Sequence, residues 1–247
     1  MLKILLISLA LFSSCQNKNE NTFSFASSGE FRPFSFTNDS GELQGYDIEV
    51  GIELAKRMNK EAKPVKYKFT GIVEGVKTGR FDAGVASQTI TEERKKHVAF
   101  TIPYYYSGPQ VFSRDEKTPN LERDLNKKNI AVSKGSTYVQ NAKVFTEDLS
   151  IYDSDITALE ALQNGRHDYV ITDAITGAMA MKRGLKIYGH QVLGESRQGI
   201  SVSLENKELL DKINKALKVM IEDGTLRDLG IKYFNKDISK PSNTISK

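Results

Sequence analysis

Three side chains stand out for what they could do to a small charged molecule. Arg94, in the stretch GVASQTITEERKK, carries a planar guanidinium that can meet a carboxylate through two parallel hydrogen bonds. It is equally suited to a solvated helix face, where Lys95 and Lys96 beside it belong. Thr137 follows Gly135 at an expected helix start, where free backbone N–H groups favour an anion and where a hydroxyl also serves as an ordinary cap. Asp173 ends the run DYVIT, placed either to cap the next helix or to accept from a cation. Other chemistries lack their residues. His97, His167 and His190 are scattered and there is one cysteine, so no metal site is expected, and no cofactor either. No Gly-rich phosphate loop or nucleophile triad is spaced in the chain. With 35 basic and 31 acidic residues interspersed, the net charge of +4 gives a nucleic-acid partner no support.

The elements that must position these groups alternate in type. Segments 23–26, 65–69, 83–86, 130–133, 150–152 and 169–172 read as strands. Between them, Ile48, Ile52, Ala55 and Met58 share one helix face, and Ile72, Val73 and Val76 another. Such alternation predicts α/β sheets with mostly parallel crossovers. Helix starts are expected at Ser136 or Thr137 and at Asp155, before ITALEAL. The first series runs to about Phe100, TIPYYYSGPQVF interrupts it with prolines and aromatics, and a second begins near Asn129. After SRQGISVSL a closing helix with Ile213, Leu217, Met220 and Ile221 ends at Gly224. The expectation is two lobes, 23–106 with 201–238 and 107–200, followed by a polar tail 239–247. The cleft between such lobes is the default ligand site.

Ahead of these lobes, Met1, Leu2 and Lys3 precede an apolar run over 4–12. The run is shorter than the ~20 residues a membrane helix needs, but it has the length of an export signal's apolar core. Small residues Ser13 and Ser14 follow it, then Cys15, whose solitude rules out an internal disulfide. Polar residues 16–22 read as a tether. LFSSC resembles a bacterial lipoprotein signal. That resemblance implies removal of 1–14, a lipidated, palmitate-bearing Cys15, and a mature chain in the periplasm or at the cell surface, held to a membrane by its lipid.

A second resemblance spans the lobes. GYDIEVGIELAKRM, residues 45–58, is similar to the signature of the extracellular solute-binding proteins of amino-acid ABC importers, family 3, with Gly45, Tyr46, Asp47, Ile48, Glu49, Val50, Leu54, Ala55 and Met58 all fitting. Further landmarks follow in that family's order from Phe23 to Phe234: SGEFRPFSF, FTGIVEGVKTGRFDAGVASQTITEERKK, SKGSTY, ALQNGRHDYVITD and EDGTLRDLGIKYF. The resemblance implies a two-lobed periplasmic-binding-protein-like fold of type II, each lobe a mostly parallel sheet flanked by helices. It also implies a monomer without enzymatic activity, whose partners are an amino acid and the permease subunits of an ABC transporter.

A free amino acid brings a carboxylate and an ammonium on one carbon, and taking both out of water costs several kcal/mol per ion unless each is paired. By resemblance, Arg94 clamps the carboxylate, Thr89 adds a hydroxyl, and Ala86 and Ser87 line the pocket with backbone groups. Thr137 would grip the same carboxylate from the second lobe, Asp173 would accept the ammonium, and Phe31 and Phe69 would sandwich the side chain. A ligand held from both lobes favours their closure. Ser28 stands where lysine-, arginine- and glutamine-binding members usually carry Asp, which argues against a cationic ligand. Ser133 and Thr172 replace the Lys and His of glutamine-type members, and YYYSGPQ and GSTY are similar to cystine-binding ones. A neutral polar amino acid or cystine therefore ranks above a basic one. The rival is an enzyme: cyclohexadienyl and arogenate dehydratases share the fold and TDAI but place a catalytic glutamate where Thr176 stands, and a hydroxyl cannot act as that general acid.

Overall fold

The computed structural model describes residues 21–241. Cys15, the expected export signal, tether residues 16–20 and tail residues 242–247 lie outside them. The chain begins with β1 (Thr22–Ser27), β2 (Glu30–Phe31), β3 (Ser35–Thr37), β4 (Leu43–Gln44), α1 (Tyr46–Arg57), β5 (Glu61–Lys66) and α2 (Phe69–Lys77). It continues through β6 (Ala83–Thr89), α3 (Glu92–Lys95), β7 (Ala99–Phe100) and β8 (Tyr105–Ser107). A second series holds β9 (Pro109–Ser113), α4 (Leu121–Asp124), β10 (Ile130–Ser133), α5 (Tyr138–Lys143), β11 (Leu149–Tyr152), α6 (Asp155–Gln163), β12 (Tyr169–Asp173), α7 (Ala174–Lys182) and β13 (Tyr188–Val192). The chain then returns through β14 (Ser196–Val202), α8 (Lys207–Glu222) and α9 (Thr225–Phe234).

Two sheets result, one ordered β5-β1-β6-β14-β7 with β8 also on β14, the other β11-β10-β12-β9-β13; β2, β3 and β4 form a small separate sheet. Neither large sheet is mostly parallel, contrary to expectation. β1 pairs parallel with β5 and β6, and β10 with β11 and β12, whereas every pair made by β9 or β14 is antiparallel. The cause is the crossing chain: β9 and β14 each enter from the other lobe, so they run against the βαβ units they join. The sheets change over at Gly108 and again between β13 and β14. The boundary expected at residue 200 thus falls inside β14, whose partners all belong to the first sheet.

Two local differences have clear causes. The expected strand at 65–69 is displaced to β5, which pairs with β1 from Thr22↔Glu61 to Ser27↔Lys66, and Phe69 opens α2 instead. Pro64 has no N–H to donate, which an edge strand such as β5 tolerates. On α1, Ile52 is 42% exposed, and the core face is made by Ile48, Val50, Gly51, Leu54 and Ala55. Gly51 rotates the helix to this face because the Phe25 ring lies against it; a Cβ there would sit 2.3 Å from Cζ.

The first lobe is packed around aromatics: Phe34 stacks on Tyr105 at 4.9 Å and contacts Phe234 at 4.7 Å, with Tyr46 and Tyr104 beside them. The second is packed with smaller side chains on both faces of its sheet. Ala158, Leu159 and Leu162 of α6 meet Phe112, Ala131 and Val170 on one face, and Tyr138 and Ala142 of α5 meet Val111, Ile130, Val132 and Ile171 on the other. Ile175 and Met179 of α7 lean on the first lobe's core.

Candidate functional site

The parallel strands β1, β6, β10 and β12 end facing one another across the two lobes, the crevice in which open α/β sheets take ligands. A cavity of ≈ 670 Å³ lies there, within the range of small-molecule sites. Ser28, Phe31, Phe69, Ala86, Ser87, Thr89 and Arg94 line it from the first lobe and Thr137 from the second. Asp173, of the residues expected here, is absent from the lining.

Arg94 projects from α3, whose first turn is fixed by Arg94 N–H donating to Thr91 Oγ1 at 3.2 Å. Its Nη1 donates to Thr89 O at 2.8 Å and its Nη2 crosses to the second lobe, donating to Gly135 O at 3.1 Å. The guanidinium carbon stands 5.5 Å from the centre of the Phe69 ring, within cation–π range. Among the described residues no acidic side chain is paired with it, and burial lowers its pKa from the ordinary value. A half-buried guanidinium with donors to spare, whose acceptors among the described residues are carbonyls, is a site for an anion. Gly135 can approach this closely because it has no side chain: its φ is +75° and a Cβ would lie 2.8 Å from Thr70 Cγ2 of the opposite lobe.

Ser87 is held from behind. Its φ of +52° is unusual for a residue with a side chain, and two groups outside the cavity stabilise it. Tyr104 Oη accepts from Ser87 N–H at 2.9 Å, and Ser87 Oγ donates to Asp47 Oδ2 at 2.8 Å. Tyr104 Oη in turn donates to Asp47 Oδ1 at 2.6 Å. Asp47 is fully buried, and desolvation pushes its carboxyl up to about 7 against the lowering effect of those two hydroxyls. The other acid of the signature, Glu49, faces away and accepts from Lys232 Nζ of α9 at 2.6 Å. Gly45, ahead of both, has φ +123° and a carbonyl, Phe34 O, 2.4 Å from where a Cβ would be.

Asp173 caps α7, its Oδ1 accepting from Ile175 N–H at 2.9 Å and Thr176 N–H at 3.0 Å. Its Oδ2 accepts from Tyr138 Oη at 3.4 Å, and Tyr138, not Asp173, lines the cavity. Burial pushes Asp173 up to about 6. Among the lining residues that sequence reasoning did not assign to the ligand are Tyr138 and Asp155, on the second lobe's wall; Ser133, weighed there only for ligand type, lines the same wall. Asp155 was legible only as a helix start, and Ser154 supplies the actual cap, accepting from Thr157 N–H at 3.2 Å. Thr137 precedes α5 without a side-chain cap bond. Thr176 is fully buried with its hydroxyl unpartnered among the described residues.

The histidines stay apart. His167 Nε2 lies 3.0 Å from Ala158 O, His190 Nε2 2.8 Å from Ser113 Oγ, and His97 3.9 Å from Glu93. Among the described residues no group of three or more His, Cys, Asp or Glu is placed to hold a metal, and no helix is long and apolar enough to cross a membrane.

Comparison with known proteins adds to this geometry. The model of the bacterial extracellular solute-binding proteins, family 3, matches residues 23–236. The L-cystine-binding protein TcyJ of Escherichia coli K12 is 31% identical over 230 residues, covering 90% of this chain and 86% of the relative. The ABC transporter arginine-binding protein 1 of the same strain is 30% identical over 244 residues, covering 95% and 98%. Among solved structures, an ancestral arginine-binding protein bound to glutamine superposes with a TM-score of 0.79 at 33% identity, covering 87% of this chain and 99% of that one.

Proposed function

The chain belongs to the bacterial extracellular solute-binding proteins, family 3, and from that premise we propose that it binds a free amino acid between its lobes and delivers it to the permease of an ABC importer. The observation that carries this reading is Arg94: a half-buried guanidinium without an acidic partner among the described residues, lining a cavity of amino-acid size and bonded to both lobes. In this reading the ligand's carboxylate takes the remaining donors of Arg94, with Thr89 and the backbone at Thr137 beside it. Phe31 and Phe69 flank the side chain, and Ser28, Ala86 and Ser87 complete the wall. The Arg94–Gly135 contact belongs to the closed arrangement, which the ligand favours by touching both lobes at once. Asp173 acts on the ammonium through Tyr138, which donates to it and lines the cavity.

The reading is non-enzymatic, since the buried Thr176 offers no acid for a dehydration. In the same reading, residues 1–14 act as an export signal and Cys15 carries a lipid that anchors the protein to a membrane outside the cytoplasm; Cys15→Ala would then release it to the soluble fraction of the cells that produce it. Isothermal titration against the common amino acids and cystine tests the binding itself. At least one should bind the wild type, and Arg94→Ala should weaken it by more than 100-fold, because a charge-assisted bidentate pair contributes about 3 kcal/mol or more. Retained affinity in that variant would overturn the reading.

A further inference from the structure

An acid in the first turn of a helix is ordinarily solvated, but Asp155 is 7% exposed, and what remains open faces the cavity. Its Oδ1 accepts from Ser133 Oγ at 2.9 Å and from Thr172 Oγ1. Burial raises its pKa, and no Lys, Arg or His is among the groups acting on it. It is the counterpart of Arg94: a desolvated charge on the cavity wall whose protein partners are all neutral.

The sheet places Asp155 and Asp173 on opposite faces, near enough that the charge of Asp155 helps to raise Asp173. Successive side chains on a strand point to opposite faces, so Ser133 and Thr172 share the α6 face with Ala131 and Val170, while Asp173 shares the α5 face with Ile171 and Tyr138. Arg94 meets the second lobe at Gly135, on the loop into α5, where its charge acts on Tyr138. A carboxylate held by Arg94 therefore leaves the neighbouring ammonium on the Tyr138 side, and the ligand's side chain is left to reach the Asp155 face.

We infer that Asp155 is a specificity-determining residue that receives a second cationic group, carried by the ligand beyond its α-carbon. The preferred ligand is then an amino acid with a guanidinium, a side-chain ammonium, or the second α-ammonium of cystine. This rests on the amino-acid reading above; it keeps cystine and sets aside the argument from Ser28 against a cationic ligand, since the carboxylate absent at Ser28 is supplied from the second lobe by Asp155.

Matched ligand pairs test it by isothermal titration: L-arginine with L-citrulline, L-lysine with L-norleucine, and L-cystine with the mixed disulfide of cysteine and 3-mercaptopropionate. The wild type should bind the charged member of at least one pair ten- to 100-fold tighter. Asp155→Asn, nearly isosteric, should bring that ratio below about threefold and leave the affinity for the uncharged member within about threefold. If circular dichroism shows that this variant does not fold, Thr172→Val, which removes one donor and keeps the carboxylate, must lower the ratio severalfold. A wild-type ratio near one overturns the inference, as does a ratio unchanged in Asp155→Asn. An equal loss for both members would make Asp155 a partner of the shared α-ammonium and overturn it too. Failure of every compound to bind the wild type would instead sink the amino-acid reading, and this inference with it.

Discussion

The cavity's two walls are built differently. The first-lobe wall is centred on the middle and end of β6, whose shape is set by residues that line no part of the cavity: Asp47 and Tyr104 hold Ser87 in its unusual conformation, and Tyr104 stands in the aromatic core with Tyr46, Tyr105 and Phe34. The second-lobe wall is made of strand ends and first helical turns, Ser133, Thr137, Tyr138 and Asp155, over a core of small aliphatic side chains. One wall is preformed by its core. The other presents polar groups that can be exchanged without repacking, so stability and binding should fail together in the first lobe and separately in the second.

The strongest way to break this contrast is Gly45→Ala. A Cβ at φ +123° meets the carbonyl of Phe34, a backbone atom that cannot turn aside, so the variant should lose about 3 kcal/mol or more of stability. For a chain of this size that lowers the unfolding midpoint by roughly 6 to 12 °C, measured by scanning calorimetry. A drop of only a degree or two would mean the first wall is not rigid. Gly135→Val sharpens the contrast from the other side. Its side chain would press on Thr70 across the cleft, lowering ligand affinity about tenfold, while the unliganded midpoint falls by roughly 2 to 4 °C for a positive-φ strain near 1 kcal/mol. Equal affinity in titration would show that the lobes need not approach here.

A third effect is a pH slope. Asp47 holds its proton in the folded chain up to about 7, whereas the carboxyl of an unfolded chain ionises near 3.8. Its contribution to stability is therefore complete below about 4 and is lost as the pH rises through 7. Asp173, raised to about 6, acts in the same direction. The unfolding midpoint of the wild type should fall between pH 5 and pH 8, and Asp47→Asn should flatten that fall by several degrees. Parallel slopes in the two proteins would show that Asp47 is ionised in the folded state.

Much of this was legible in the sequence where local pattern and long-range packing agree. β10 appears as expected at 130–133, β12 runs one residue past 169–172, and the GYDIE signature opens α1. Arg94, by contrast, sits in a run of charges that periodicity alone assigns to solvent, and only the resemblance separated it from Lys95 and Lys96. The antiparallel character of β9 and β14 follows from the chain's path between lobes, which no local window contains. Asp155 was hidden because an acid after a Ser cap looks like routine helix chemistry; its burial depends on Ser133 and Thr172, which are 22 and 17 residues away.

The most direct test of the central claim compares a bound amino acid with its own carboxamide in thermal unfolding of the wild type and Arg94→Ala. At a hundred times its dissociation constant a ligand stabilises by about 2.7 kcal/mol, raising the midpoint by roughly 5 to 10 °C. The account predicts that rise for the amino acid with the wild type alone, and almost none for the carboxamide with either protein. Equal rises for acid and carboxamide, or for wild type and variant, would contradict the assignment of Arg94 as the carboxylate clamp.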